Sequence, residues 1–529
     1  MKSLIREIVA DALKAVHFLS PKENIDFDVL YPPKIEMGDY SVNVSMILAS
    51  RLKRNPFDIA KDLAEEIQKD SRVEKVDVIL PGYINIFLTE KVFFEGITSI
   101  VQEGNPFGLI AKKKPERILV EFVSSNPTGP IHLGNARGGP VGDTIARVLE
   151  KLGHSVWREF YVNDFGKQIE ILGHSVLKDE NTQYRGDYID DLAKIKPENI
   201  NTPREVGIWA GHHILETLIE PTCKKLGISF DTFFLESSLY AKGKIEDILK
   251  LLQEQNLTYE KDGALWYRST LFGDDKDRVI LRTDTSVTYR LADFAYHKDK
   301  FDRNFSQLVT VLGADHLSEA KEMKAYIENI LQKKNTYTYV ITQFVRIMKD
   351  GVEVKMSKRR GTYYAMDDLI EEVGRDAVRF IFLSYSSGSH ISFDINIARE
   401  QSEKNPVYYV QYAHARISGI LRKADEHKKS VEESFSKNIF IHTKERELAL
   451  AIFRFYDVFD TVADTYEVHR LPQYARELAD SFHSFYAVCR VINEKDKERT
   501  RIRLELSEAT KILLASTLDL CGVSAPEKM

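Results

Sequence analysis

No uninterrupted apolar stretch in this chain of 529 residues approaches the roughly 20 residues that a membrane span requires, so a membrane protein is not expected. The opening MKSLIREIVADALKAV carries Arg6, Glu7, Asp11 and Lys14, which break the apolar core of a secretory signal and read as a surface helix. Cysteine is scarce. Cys223, Cys489 and Cys521 stand far apart, without the close pairing of a zinc site or a disulfide framework, and a reducing cytoplasm with buried thiols fits that usage. Excess positive charge is also missing. A net charge of −6 excludes a protein that coats nucleic acid by bulk electrostatics, so any RNA contact has to be local. One local candidate is Arg346 to Arg360, where Arg346, Lys349, Lys355, Lys358, Arg359 and Arg360 face only Asp350 and Glu353, an excess of four positive charges.

Hydrophobic residues make up 43% of the chain and aromatics 10%, enough to bury cores throughout, and the length suits two to four domains of about 100 to 200 residues. Residues 1–112 alternate amphipathic helices with strand-like runs such as Lys75 to Leu80 and Tyr83 to Leu88, an α+β module that ends in the basic linker Ala111-Lys-Lys-Lys-Pro115. From 113 to 384, β-branched runs (ILVEFV, SVWREFYV, VILR, LVTVLG) alternate with helical segments, the pattern of an α/β, Rossmann-like parallel-sheet domain. The more charged stretch at about 170–275 reads as an insertion in it. Residues 385–529 form the last domain, and beyond Asn405 the strand signal disappears. There the 3.6-residue period takes over, with Leu448, Ile452, Phe455, Phe459, Val462 and Tyr466 on one face and Tyr474, Leu478, Phe482, Phe485, Cys489 and Ile492 on another, as in an all-α bundle.

Two segments carry chemistry. In the first, a buried strand from Arg117 runs to Ser124, a Pro- and Gly-rich turn holds His132 and Asn135, and a helix begins near Gly138 to Val141. Ligands of open parallel sheets bind at the strands' carboxyl ends, and a helix N-terminus offers free N–H donors to phosphate. The turn lacks both the Gly-Lys-Ser/Thr of a phosphate loop and a GxGxxG. The second segment is the basic loop Val354-Lys-Met-Ser-Lys-Arg-Arg-Gly361, ahead of a helix starting near Met366, where lysines can stabilise charge on a leaving pyrophosphate.

His132-Leu-Gly-Asn135 and Lys355-Met-Ser-Lys358 resemble, in order and separation, the two signatures of class I aminoacyl-tRNA synthetases. Further segments resemble the arginyl-tRNA synthetase family: Gly82-Tyr-Ile-Asn85, Glu121-Phe-Val-Ser-Ser-Asn126, Tyr161 to Gln168, Phe230 to Ser237, Gly313-Ala-Asp-His316, Asn405 to Arg416 and the ending Gly522 to Met529. One position departs from the pattern, since Asn135 stands where the family usually has a second His. Its amide can donate a hydrogen bond to phosphate but cannot titrate.

The resemblance implies ATP-dependent activation of L-arginine, with Mg²⁺ carried on ATP and no tightly bound metal, followed by transfer to tRNA-Arg by a cytoplasmic monomer. It implies that His132, Gly134 and Asn135 meet the phosphates, that Lys355, Met356, Ser357 and Lys358 meet the pyrophosphate, and that Gly313, Asp315 and His316 line the adenosine pocket. For arginine it points to Glu236, Tyr289 and Asp293 at the guanidinium, the last two sharing a helix face, and to Glu121, Ser124, Asn126 and Gln168 at the other end. For tRNA it points to Tyr83 and Asn85 in the first module and to Tyr408, Tyr412 and Arg416 in the last, with activation depending on bound tRNA. The alternatives are another class I synthetase, a non-catalytic tRNA-binding homologue and a small-molecule nucleotidyltransferase. Intact His132, Lys355 and Lys358 speak against the second, and acidic candidates at 236 and 293 against a glutamate enzyme.

Overall fold

A computed structural model of the chain describes all residues except 20–22, 24, 111–113, 355–364 and 426–438. At its centre five parallel strands, β1 (Arg117–Glu121), β2 (Ser155–Val162), β3 (Thr232–Leu235), β4 (Gln307–Gly313) and β5 (Tyr337–Thr342), lie in the spatial order β5-β4-β1-β2-β3. The central strand β1 buries Ile118, Leu119 and Val120 together, as a strand covered on both faces must. Strand order reverses between β1 and β4, and such a switch point is where an open α/β sheet leaves a crevice for ligands. The first crossover returns through helix α1 (Gly138–Lys151), which buries Val141, Ile145, Val148 and Leu149. This helix lies unusually near the sheet. A Cβ at Gly142 would stand 2.3 Å from the Phe122 ring, so only glycine permits the approach.

Two segments differ from the sequence pattern. The edge strand β3 falls inside the stretch read as an insertion, because four residues among charged neighbours give no periodic signal. The run Val279-Ile-Leu-Arg282 does not join the parallel sheet. Arg278–Leu281 pairs antiparallel with Ala264–Tyr267, which pairs in turn with Thr258–Lys261 through a two-residue turn at Asp262 and Gly263, with φ of 52° and 72°. That Asp-Gly pair is a strong hairpin signal. Helix α2 (Tyr289–Asp302) then leads into β4. A further small sheet joins Val345–Lys349, Val352–Glu353 and Ile391–Asp394, so strand structure continues past residue 384.

The first module is a four-stranded antiparallel sheet (Val29–Leu30, Tyr40–Val42, Tyr83–Leu88, Val73–Ile79) under helices that include Lys2–Ala15 and Pro56–Ile67. At the other end of the chain, α3 (Pro406–Asp425), α4 (Thr443–Thr465), α5 (Arg470–Val488) and α6 (Lys497–Leu520) form a bundle whose core takes the Leu448 to Val462 and Tyr474 to Phe485 stripes. The end modules meet where Arg446 of α4 pairs with buried Asp39 at 2.7 Å. The bundle meets the central domain at wholly buried Arg379, which donates to Asp143 of α1 at 2.6 Å, to the Leu226 carbonyl at 2.9 Å and to the Cys521 carbonyl at 2.7 Å.

Candidate active site

A cleft of about 420 Å³ opens at the carboxyl end of the parallel sheet, and Glu121, Ser124, Asn126, Gln168, Glu236, Tyr289, Asp293, Gly313, Asp315 and His316 all line it. Topology explains the gathering of residues so distant in sequence. Glu121 ends β1, Glu236 follows β3 and Gly313 ends β4, while Tyr289 and Asp293 lie one turn apart on α2.

The acidic end has unusual electrostatics. Glu236 is 4% exposed and Asp293 partly buried, and neither carboxylate meets a cation at ion-pair distance among the described residues. Burial pushes the Glu236 carboxyl up to about 7, although the Tyr161 and Tyr240 hydroxyls favour its charged form. Burial, then the nearby charges of Glu236 and Glu121, push Asp293 up to about 8, against the pull of Lys300. Paired acceptors in a recess with no protein counter-ion among the described residues suit a planar cationic ligand that donates fork-wise contacts to them.

Glu121 differs, because it already has partners. Its Oε2 accepts from Lys300 at 2.6 Å and its Oε1 from Ser124 Oγ at 3.2 Å, while Ser124 Oγ accepts the Tyr161 N–H at 3.1 Å. Here the chain turns sharply, with Val123 at φ 70° and Ser124 at φ 42°, left-handed values that a β-branched residue rarely adopts.

On the phosphate side, His132 caps the short helical turn Leu133–Ala136 and is not among the residues lining the cleft. It forms an antiparallel bridge with Ala365, and Met366 N–H donates to the Ile131 carbonyl at 3.0 Å. Lys355, Met356, Ser357 and Lys358 lie outside the described residues, as do the side chain of Asn135 and the burial of Gly134. The bridge brings Ala365, the first described residue after that basic segment, against the His132 turn. Arg137, wholly buried, fastens the turn further by donating to the carbonyls of Gln343, Tyr385, Ser386 and Ser389 at 2.6–3.2 Å.

Among the RNA candidates, Tyr83 is half-buried, whereas Asn85 is 3% exposed and does not present its amide at the surface. On α3, Tyr408 and Tyr412 stack with planes 9° apart, and the exposed Arg416 guanidinium lies over both Tyr412 and Tyr486. Tyr409 instead hydrogen-bonds Asp480, and His414 is buried against the Pro526 carbonyl.

Comparison with known proteins gives matches along the whole chain. A family model described as arginyl tRNA synthetase N terminal domain matches residues 3–88, the class I (R) tRNA synthetase catalytic domain matches 96–206 and 194–384, and the DALR anticodon binding domain matches 410–529. The arginine–tRNA ligases of Bacillus velezensis and Bacillus subtilis are each 41% identical, over 100% of this chain and 99% of theirs. The chain belongs to the arginyl-tRNA synthetase family. In fold, the Thermus thermophilus arginyl-tRNA synthetase matches with a TM-score of 0.79 at 22% identity over 100% of both chains, and the Plasmodium falciparum arginyl-tRNA synthetase with 0.76 at 21% over 100% of this chain and 99% of that one.

Several residues around this arginyl-tRNA synthetase-type cleft were not singled out from the sequence: Tyr161, Asn163, Tyr240, Tyr296 and Lys300. A signal existed for two of them, since 289, 293, 296 and 300 follow the helical period along α2. Tyr240 has none, because it reaches Glu236 from a five-residue helix, Ser237–Ala241, with no periodic pattern.

Proposed function

We propose that the chain is an arginine–tRNA ligase that activates L-arginine with ATP and transfers it to the 3′ end of tRNA-Arg. The observation that carries the arginine assignment is the pair of carboxylates facing the cleft, buried Glu236 and partly buried Asp293, with no cation at ion-pair distance among the described residues. They hold the guanidinium, with Tyr289 beside it, and Gln168 is a polar neighbour at the other end. Glu121 accepts from the α-ammonium, while Asn126 and Ser124 orient the substrate carboxylate. That carboxylate attacks the α-phosphorus of ATP, the bond to the β-phosphate oxygen breaks and pyrophosphate leaves; a ribose hydroxyl of the terminal adenosine then attacks the activated carbonyl and releases AMP. The protein's part is positioning and charge stabilisation.

Gly313, Asp315 and His316 receive adenosine, the His132–Asn135 turn receives phosphate, and Lys355 and Lys358, beside Met356 and Ser357, stabilise the leaving pyrophosphate. The bridge between His132 and Ala365 supports a shared nucleotide for those two segments. Mg²⁺ arrives as part of the substrate MgATP, bound by phosphates and water. Residues 1–112 take the tRNA elbow through Tyr83, without Asn85; 113–384 carry the chemistry; and 385–529 take the anticodon, with Tyr408, Tyr412 and Arg416 offering a stacking, cationic face. The protein acts as a cytoplasmic monomer. Its three cysteines are buried and unpaired, and no helix among the described residues is long and apolar enough to cross a membrane. Charging of total tRNA with each of twenty labelled amino acids in parallel tests the assignment. Arginine alone is expected to be transferred, and transfer of a different amino acid instead would overturn it.

A further inference from the structure

We infer that Lys300 is a positioning residue for the amino-acid end of the cleft: its ammonium clamps Glu121 and, through Glu121 and Ser124, fixes the left-handed turn at the tip of β1 that leads to Asn126. The inference rests on the reading of Glu121 as the acceptor for the α-ammonium of arginine.

Lysine is almost never fully buried without a partner, yet Lys300 has no exposed surface. It sits seven residues after Asp293 on α2, so the helix that presents Asp293 to one end of the substrate brings Lys300 against the residue read as holding the other. Its Nζ lies 2.6 Å from Glu121 Oε2 and 4.0 Å from the centre of the Tyr296 ring. The ring beneath is itself fixed, because the Tyr296 hydroxyl donates to Glu159 at 2.8 Å and Arg303 holds Glu159 with two contacts of 2.6 and 2.8 Å. The lysine thus has a rigid floor. Above it, Glu121 passes the constraint on: Oε1 takes the Ser124 hydroxyl, whose oxygen takes the Tyr161 N–H, so the strained Val123–Ser124 turn is tied to β2. Each carboxylate oxygen accepts more than one hydrogen bond, so the clamp leaves capacity for a ligand ammonium. Deep filling alone would be served by an uncharged side chain of similar length, which avoids the desolvation of two charges. Lys300 is sealed from the cleft behind Glu121 and Tyr296 and acts only through them.

The test uses the full enzyme with ATP, arginine and tRNA, comparing K300M, E121Q and the double variant. The competitive inhibitor is 5-guanidinopentanoate, which is arginine without its amino group. For K300M the arginine KM is expected to rise about 10- to 100-fold, the size of a lost charge-assisted contact, with the ATP KM within about twofold of normal and the inhibitor Ki rising several-fold less than the arginine KM, because the inhibitor keeps the carboxylate but not the ammonium. An arginine KM within twofold of normal, or a parallel rise for ATP and the inhibitor, would overturn the inference. Should K300M fail to fold, the double variant decides: it is expected to match E121Q in arginine KM, because a residue acting through Glu121 has nothing left to act on. A further tenfold rise in the double variant would overturn the clamp, whereas a normal arginine KM in E121Q would overturn the reading of Glu121 itself.

Discussion

The Glu236 and Asp293 carboxyls stand at about 7 and about 8, against ordinary values of 4.5 and 3.8. Both shifts are upward, so the empty protein holds protons that the unfolded chain would release, and these two groups make its stability fall as pH rises from about 4 to about 8. A guanidinium favours the charged carboxylates, so arginine should bind more tightly as pH rises from about 6 to about 8 and should displace protons as it does. Calorimetry in buffers of different ionisation enthalpy measures this directly: net proton release is expected at pH 6.5 and little at pH 9, and buffer-independent heats at pH 6.5 would contradict it. At this scale the sequence was informative where a residue lies in a motif and silent where its meaning depends on a partner. Asp293 could be picked out by its spacing from Tyr289. The same period puts Lys300 on that face of α2, but nothing near it in the chain indicates that Glu121, 179 residues earlier, lies against it. Asn85 shows the converse, since its motif pointed to a surface role while strand pairing turns its side chain inward.

Elements were legible in proportion to their length and period. The strand and helix of the first crossover and the stripes of α4 and α5 follow directly from their patterns, whereas β3 is only four residues long and Arg278–Leu281 has the composition of a parallel strand but pairs antiparallel with the second strand of a hairpin. On α3 the sequence left open which aromatic subset faces outward. Packing decides it: Tyr409 and His414 find partners inside the protein, and Tyr408, Tyr412 and Arg416 share the open face. Removing that face, by Tyr412→Ala together with Arg416→Ala, is expected to raise the tRNA KM about 10- to 100-fold, the worth of a stacked base, while leaving the arginine KM unchanged. Steady-state aminoacylation with each substrate varied in turn measures the split, and an unchanged tRNA KM would remove this helix from the proposed RNA surface.

Across the whole molecule the three modules are joined by buried charge. Arg379 ties the crossover helix α1 to the last residues after α6, and Asp143 also takes Arg147 at 2.8 Å. Such a junction is invisible in sequence, because Asp143, Leu226, Arg379 and Cys521 belong to segments with unrelated patterns. Breaking a buried pair by removing one partner strands the other charge, so Asp143→Asn is expected to destabilise the protein by about 3 kcal/mol. A denaturant titration reads this as a lower midpoint, and an unchanged midpoint would mean that the junction is solvated. The parallel sheet, by contrast, was readable from its alternating segments, and its strand order explains why so many separate motifs converge on one cleft. The account as a whole depends on that cleft holding a guanidinium in its acidic end, and the arginine KM of Asp293→Asn tests this most directly. The account predicts a rise of about 10- to 100-fold with the ATP KM unchanged; an arginine KM equal to that of the unaltered enzyme would contradict it.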